Sequence, residues 1–468
     1  MKKWGIGFII VLLFCIPIFL HRETSQQLLK DTDTHTLVEA IRARNAPLSW
    51  FTGDWPLQNH FYRPLPTLAF ELDNYLYKDN APGYGATNAL LAIACVLLLF
   101  WFLREFTNNP VLSSVSSCLF ACWVSGSWFW QASAVVQYGS YVGLLVALYL
   151  LFQKPIPWPK VRVAVAAFLT LFFASSEVFG ATVSPVEALS QNMIAWLPSR
   201  TVSVMVVFAL LAMASYARYE RVSAVKIQKE ITPLTPPATK GTAITKATKT
   251  AWLWAVVAVI GTALAFCSYE QAVMLPAALL GVAIAMRLQG YKSRWGWQAA
   301  FWLCLVGYML VRKELLPPGN SDYQKQTLRF GPGVLLTLER YAFPYLAGFW
   351  ESIGTLSTGL ALLLMSDIYV SGLFFIANVT AYVESRRRFV LAFTGWSLSI
   401  ITFLPMAWLR GAGTPSFEYY NFWPLAFRSL FAVVLCWIGV DLLVIAVSPP
   451  ELKAPARLNP APGSLPRP

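Results

Sequence analysis

Apolar runs of about 17 to 25 residues recur along this chain, and each matches the length a helix needs to cross a hydrocarbon layer of ~30 Å. Backbone inside hydrocarbon has to satisfy its own hydrogen bonds, so these runs are expected to be helices. Composition agrees: of 468 residues 57% are hydrophobic and 13% charged, and the mean hydropathy is +0.54. The expected fold class is all-α, a polytopic membrane protein of about 12 transmembrane helices. Spans are placed at roughly 4–20, 84–103, 111–131, 134–152, 163–183, 201–217, 251–268, 271–287, 297–312, 355–382, 389–409 and 423–446. Met1-Lys2-Lys3 ahead of Trp4–Leu20 resembles a secretory leader, but Ile18-Phe19-Leu20-His21-Arg22 offers no small-x-small cleavage site. It is read as a retained first span.

An even number of spans puts both termini on one side. More than half of the 36 lysines and arginines fall in segments assigned to that side, among them Lys2, Lys3, Arg104, Arg218, Arg221, Arg287 and Arg386 to Arg388. Excess basic residues mark cytoplasmic loops, so the termini are expected inside and the alternate loops outside. The net charge of +13 is read as this retention signal plus attraction to anionic lipid headgroups, not as a nucleic-acid footprint. Residues 218–250, with Thr232-Pro233-Leu234-Thr235-Pro236-Pro237, are expected to form a flexible cytoplasmic linker between a membrane bundle at 1–217 and another at 251–447. The proline-rich tail 448–468 is expected to be disordered. The seven cysteines all lie in apolar runs, so no disulfide-stapled exterior is expected. No solenoid repeat and no Walker, Rossmann or zinc-finger spacing is present.

Polar capacity is concentrated in the first outer loop, 21–83, which holds all three histidines (His21, His35, His60) and a dense set of carboxylates. Leu37, Val38 and Ile41 stand at helical spacing after Asp33 or Thr34 as a cap, which predicts a short amphipathic helix lying flat on the membrane. Beyond Pro64 and Pro66, Thr67–Tyr77 reads as a second interfacial helix carrying Glu71 and Asp73. Residues 313–350 form another outer loop, turned at Pro317-Pro318-Gly319-Asn320, whose aromatics suit either an acceptor groove or an interfacial belt. Taken alone, Asp31-x-Asp33 is ordinarily a turn or cap, Asp54 before Trp55 a structural turn, and Tyr62-Arg63-Pro64 a brace. Arg428, inside an apolar run, needs a partner or a wet cavity, or it snorkels to the interface. Glu177, Asp367 and Asp441 suit helix-to-helix hydrogen bonds.

Asp31-x-Asp33 after the first span, Gly53-Asp54-Trp55, His60-Phe61-Tyr62-Arg63-Pro64-Leu65 and Phe70-Glu71-Leu72-Asp73 together resemble the first outer loop of class C glycosyltransferases (GT-C). The likeness is to the protein O-mannosyltransferase-like branch, including transmembrane O-mannosyltransferases, over roughly 60 residues; the rest of the chain is similar only in architecture. The chain departs from the repeat-bearing members by stopping at Pro468 with no repeat domain. The resemblance implies transfer of a sugar, with inversion, from a polyprenyl-phosphate carrier to an acceptor (protein, glycan or lipid) on the outer face. It implies Asp33 or Asp31 as base, and Arg63, Arg410 and Arg428 as cations for the leaving phosphate, with His60, Tyr62 and Tyr420 as donors. Asp54 and Glu270 are carried over as substrate-positioning groups, Glu270 because Ser268-Tyr269-Glu270-Gln271-Ala272 resembles a positioning element of such enzymes. No cofactor is required, although an acidic pair could hold a divalent ion. The rival expectations are a multi-span transporter or lipid flippase, which would show two matched halves with broken helices, and a non-catalytic assembly factor.

Overall fold

The computed structural model describes residues 2–20, 32–44, 46–126, scattered positions between 163 and 174, 191–231, 240–291, 295–328, 333–342, 383–409 and 419–447. Helix dominates: α1 Lys2–Leu20, α2 Thr32–Arg44, α3 Pro64–Tyr77, α4 Ala81–Thr107, α5 Pro110–Ser125, α6 Arg200–Ile231 and α7 Lys240–Phe266. They are followed by α8 Leu275–Leu288, α9 Gly296–Leu315, α10 Asp322–Thr327, α11 Gly333–Ala342, α12 Val383–Phe403 and α13 Phe422–Val447. The one β-type pairing among the described residues is an isolated bridge between Leu328 and Leu409.

Among the described residues six helical segments are long and apolar enough to cross a membrane: Lys3–Leu20, Ala81–Thr107, Leu197–Ser223, Glu270–Leu288, Arg387–Trp408 and Tyr419–Val444. Pro110–Ser125 and Ala251–Phe266 are apolar but shorter. The spans expected at 134–152 and 355–382, and nearly all of 163–183, lie outside the described residues, as does the 448–468 tail. α6 carries helix through Ile231 and α7 resumes it at Lys240, so helix covers much of the stretch expected as a linker; 232–239 lie outside the described residues.

Helices from the two sides of that stretch pack directly on one another. Phe427 of α13 meets Phe102 of α4 edge-on at 6.0 Å, and Phe422 meets Phe120 of α5 at 5.3 Å. Two glycines set the closest crossings. A Cβ on Gly261 of α7 would stand 3.1 Å from the Phe208 carbonyl of α6, and one on Gly395 of α12 would stand 3.0 Å from the Phe431 nitrogen of α13. Small residues at crossings let backbones approach, which is the main source of helix adhesion where lipid is as apolar as the side chains.

The bundle has two chemically different ends. At one, Glu105 of α4 is buried under Arg218 at 3.1 Å and Arg221 at 3.4 Å from α6, with Arg387 on the Thr107 carbonyl and Arg388 on Asp441 nearby in sequence on α12 and α13. At the other end of the same helices lie Arg200, Glu270, Thr402 and Tyr420. There α2 and α3 are held. Leu37, Val38 and Ile41 turn inward on α2, as their spacing predicts, and join Trp50, Trp55, Phe70, Tyr84 and Leu197 in a small core of their own. α3 begins at Pro64, three residues before the expected start, because proline's fixed φ suits the first helical turn.

A buried ion pair pins this layer to the bundle. Arg200 Nη2 lies 2.6 Å from Asp73 Oδ2, with both side chains fully or almost fully buried. Arg200 also donates to Asn88 Oδ1 (2.8 Å) and to the carbonyls of Tyr84 (3.1 Å) and Ala69 (3.3 Å). Thr87 donates to the other Asp73 oxygen at 2.9 Å. Burial pushes the Asp73 carboxyl up from its ordinary range, against the pull of Arg200 and Thr87. Removing one partner strands the other charge, so Arg200→Ala is expected to cost about 3–5 kcal/mol, whereas Arg200→Met with Asp73→Leu is expected to recover most of it. Thermal unfolding in detergent checks this, and equal losses in the single and double variants would contradict it.

Candidate functional site

The site is assembled by a loop that one carboxylate shapes. Asp54 Oδ1 accepts from the backbone nitrogens of Trp55 (2.8 Å) and Phe61 (2.9 Å), and Oδ2 accepts from that of His60 (2.8 Å). With Gln58 and His60 in left-handed backbone conformations, the chain doubles back, and Trp55 donates its N–H to the Phe61 carbonyl at 3.0 Å. Asp54, expected as a substrate-positioning group, therefore spends its lone pairs on backbone donors. Tyr62 is buried and donates to the Phe51 carbonyl at 3.1 Å. The His60 carbonyl accepts from Gln324 (3.2 Å) and Arg312 (3.4 Å), and its Nδ1 lies 3.3 Å from the Gly319 carbonyl. The α9–α10 connection is thus clasped onto the first loop.

This fold of the loop aims Arg63 inward. Its Nη2 and Nε lie 2.6 and 2.9 Å from Glu270 Oε2, and its guanidinium stands over Phe61 (4.1 Å), Tyr269 (4.5 Å) and Trp55 (4.9 Å). Arg63 and Glu270 are only 9% and 16% exposed. Burial would lower the Arg63 pKa, but Glu270 and the surrounding phenols outweigh it and hold it above its ordinary value. Glu270 is placed by the break between α7 and α8, where a short 3₁₀ turn, Glu270–Met274, follows Tyr269. Gln271, next in line, donates to the carbonyls of Thr402 (2.8 Å) and Tyr420 (3.1 Å), which ties that turn to α12 and to the start of α13.

Around the pair stand phenols. Tyr420 is buried, packs against Tyr419 at 4.2 Å between ring centres with the rings tilted by 52°, and is in side-chain hydrogen-bonding relation with Tyr269, Tyr419 and Tyr323. Tyr323 on α10 packs edge-on to Phe61 at 6.1 Å. Burial pushes the Tyr323 hydroxyl up, and the Asp33 and Glu270 carboxylates add to that while Arg63 opposes it. Asp33 is exposed, in the first turn of α2, yet within electrostatic reach of this phenol. Tyr269 is pushed well above its usual range, by burial first and then by Tyr420.

The expected site residues thus separate. Arg63 and Glu270 pair directly beside Tyr269, Tyr420 belongs to the neighbouring phenols, and Asp33 stands exposed on α2, while His60, Tyr62 and Asp54 build the loop. Arg428 is buried on α13 and held by the Tyr341 carbonyl and, at 4.9 Å, the Tyr341 ring, itself stacked on Phe403. Asp31 and Arg410 lie outside the described residues. Tyr269, Tyr323, Arg312 and the Asp73–Arg200 pair were not singled out from sequence as site or scaffold groups. Arg200 carried the same signal as Arg428, a guanidinium opening an apolar run. Among the described residues no three His, Cys, Asp or Glu side chains are grouped to hold a metal ion, and the acidic pair expected as a possible ion site includes Asp31, outside those residues. The seven cysteines are all thiols. No protein-family model, curated protein or solved structure matches the chain.

Two outcomes follow from this geometry. Asp54→Ala leaves the part-buried backbone donors of His60 and Phe61 without their acceptor and is expected to cost on the order of 2–4 kcal/mol in thermal unfolding, whereas Asp33→Asn, on an exposed first turn, is expected to change stability by less than about 0.5 kcal/mol. In alkaline titration Tyr269 and Tyr323 keep their protons in the fold after the unfolded chain has lost them. Stability therefore falls as pH rises through the ordinary tyrosine range, ~10. Phenolate absorbance followed beside circular dichroism checks this, and tyrosines ionising at ~10 in a fully folded protein would contradict it.

Proposed function

We propose that the chain is an inverting membrane glycosyltransferase that moves a sugar from a polyprenyl-phosphate carrier to an acceptor hydroxyl on the outer face. The observation that carries this reading is the buried Arg63–Glu270 pair, which joins the first loop to the break between α7 and α8 beside buried phenols, at the end of the bundle where α2 carries Asp33. The bundle end that bears these residues is opposite the end where Arg218, Arg221, Arg387 and Arg388 gather, and the basic end is assigned to the cytoplasm.

In this scheme the acceptor oxygen attacks the anomeric carbon from the face opposite the phosphate. Its proton passes to the Asp33 carboxylate as the new carbon–oxygen bond forms. The bond from the anomeric carbon to the phosphate oxygen breaks, and the polyprenyl phosphate leaves with the electron pair. Asp33 then returns its proton to water. Asp33 suits the role because it is exposed, in the first turn of α2. Asp31, two residues earlier, is the second candidate base. The growing phosphate charge requires a fixed cation. Arg63 is already neutralised by Glu270, so this role falls to Arg428, about two turns into α13 from Tyr420, and to Arg410, with the Tyr420 hydroxyl as donor. Arg63 and Glu270 act together as a rigid wall that orients the sugar.

Proteoliposomes loaded with a radiolabelled lipid-linked sugar and a hydroxyl acceptor test the scheme. Asp33→Asn is expected to lower turnover by about 10²–10⁴-fold with little change in donor binding. Wild-type turnover in Asp33→Asn and Asp31→Asn alike would refute the assignment of the base. Movement of labelled lipid between leaflets without a new glycosidic bond would instead establish a flippase.

A further inference from the structure

Three buried polar atoms around Arg63 have no hydrogen-bond partner among the described residues: Trp55 Nε1, the Tyr308 hydroxyl and Glu270 Oε1. The Trp55 ring lies under the guanidinium, Glu270 holds it through its other oxygen, and Tyr308 packs on the ring of Tyr62, the residue before Arg63, at 6.3 Å between ring centres. Trp55 and Tyr308 are 3% and 7% exposed. Buried polar groups in folded proteins are almost always paired, so three orphans in one place mark a position where something polar binds.

The chemistry of the three atoms narrows what that is. Trp55 Nε1 can only donate, ionised Glu270 Oε1 can only accept, and the Tyr308 hydroxyl does both. The charge of Arg63 is offset by Glu270, so an anion gains little here and meets a carboxylate oxygen. A cation meets Arg63 and an indole N–H. A neutral group that donates and accepts at neighbouring oxygens satisfies all three, and the faces of Phe61 and Tyr269 beside Arg63 can pack on carbon–hydrogen surface.

We propose that Trp55, Tyr308 and Glu270 form a hydroxyl-recognition subsite for an uncharged sugar ring, distinct from the place where the carrier phosphate is held. The subsite rests on the glycosyltransferase reading for its occupant, and its test measures binding alone, so failure to transfer and failure to bind are separate results.

The full chain in lipid nanodiscs is exposed to methyl glycosides of mannose, glucose, galactose and N-acetylglucosamine, and separately to inorganic phosphate, with ligand-observed saturation-transfer NMR as the readout. At least one methyl glycoside is expected to bind, with no displacement by phosphate at equal concentration. Tyr308→Phe keeps the apolar body of the side chain and removes only the orphan hydroxyl, so it is expected to weaken glycoside binding about tenfold while leaving Tm unchanged or raised. Trp55→Phe, which also leaves a void in the small core, and Glu270→Gln, which breaks the pair with Arg63, are expected to weaken binding and to lower Tm. The proposal is overturned by a wild-type chain that binds none of the four glycosides, by displacement of the glycoside by phosphate, or by a Tyr308→Phe variant that binds as wild type. It is also overturned if Tyr308→Phe loses Tm in step with affinity, since the hydroxyl would then be structural.

Discussion

A guanidinium and a carboxylate brought out of water together, with aromatic rings on three sides, are the interaction on which the rest of the site depends. Arg63 and Glu270 are 207 residues apart, and their pairing closes the first loop against the break between α7 and α8. Such a pair gains little net stability, because removing two charges from water offsets most of their attraction. It is valuable as a geometric lock: Nη2 and Nε engage one oxygen of Glu270, the rings of Phe61, Tyr269 and Trp55 fix the plane, and the remaining oxygen is aimed at a defined place. Everything else at this end, from the Asp54 hub to the clasp of Gln324 and Arg312 on His60, serves to hold Arg63 in that orientation.

The same rule governs the scaffold. Two more buried ion clusters among the described residues lie at the ends of the bundle: Arg200 with Asp73 below α3, and Glu105 beneath Arg218 and Arg221 at the opposite pole. Between the poles the contacts are apolar and close, set by Gly261 and Gly395 and by the aromatic column of Phe102, Phe427 and Trp423. A helix layer with a hydrophobic underside, α2 and α3, covers the pole that bears Arg200 and Glu270.

Much of this was legible in the sequence, because its signals are local. Apolar run length located α1, α4, α6, α8, α12 and α13, and the spacing of Leu37, Val38 and Ile41 gave both the existence and the buried face of α2. The motif from His60 to Leu65 pointed at Arg63, and the Ser268–Ala272 element pointed at Glu270. Their direct pairing was not visible, since no local pattern reports which of many charges meet across a bundle. Tyr269, Tyr308 and Tyr323 were lost among nineteen tyrosines, each equally suited to an interfacial belt. Asp54 read correctly as a turn former on local grounds and was also carried over as a substrate-positioning group, although its three backbone bonds leave it a shaping part. Arg200 escaped notice although the burial argument applied to Arg428 applies to it equally.

On the proposed function, a carrier phosphate would be held by Tyr420 and Arg428 at the end of the bundle that bears the Arg63–Glu270 pair. Cryo-electron microscopy of the chain in nanodiscs with a polyprenyl phosphate tests this most directly. Phosphate density within hydrogen-bonding distance of Tyr420 or Arg428, on the side facing Asp33, is the predicted result. Density at the basic pole beside Arg218 and Arg221, with none near Tyr420, would contradict it.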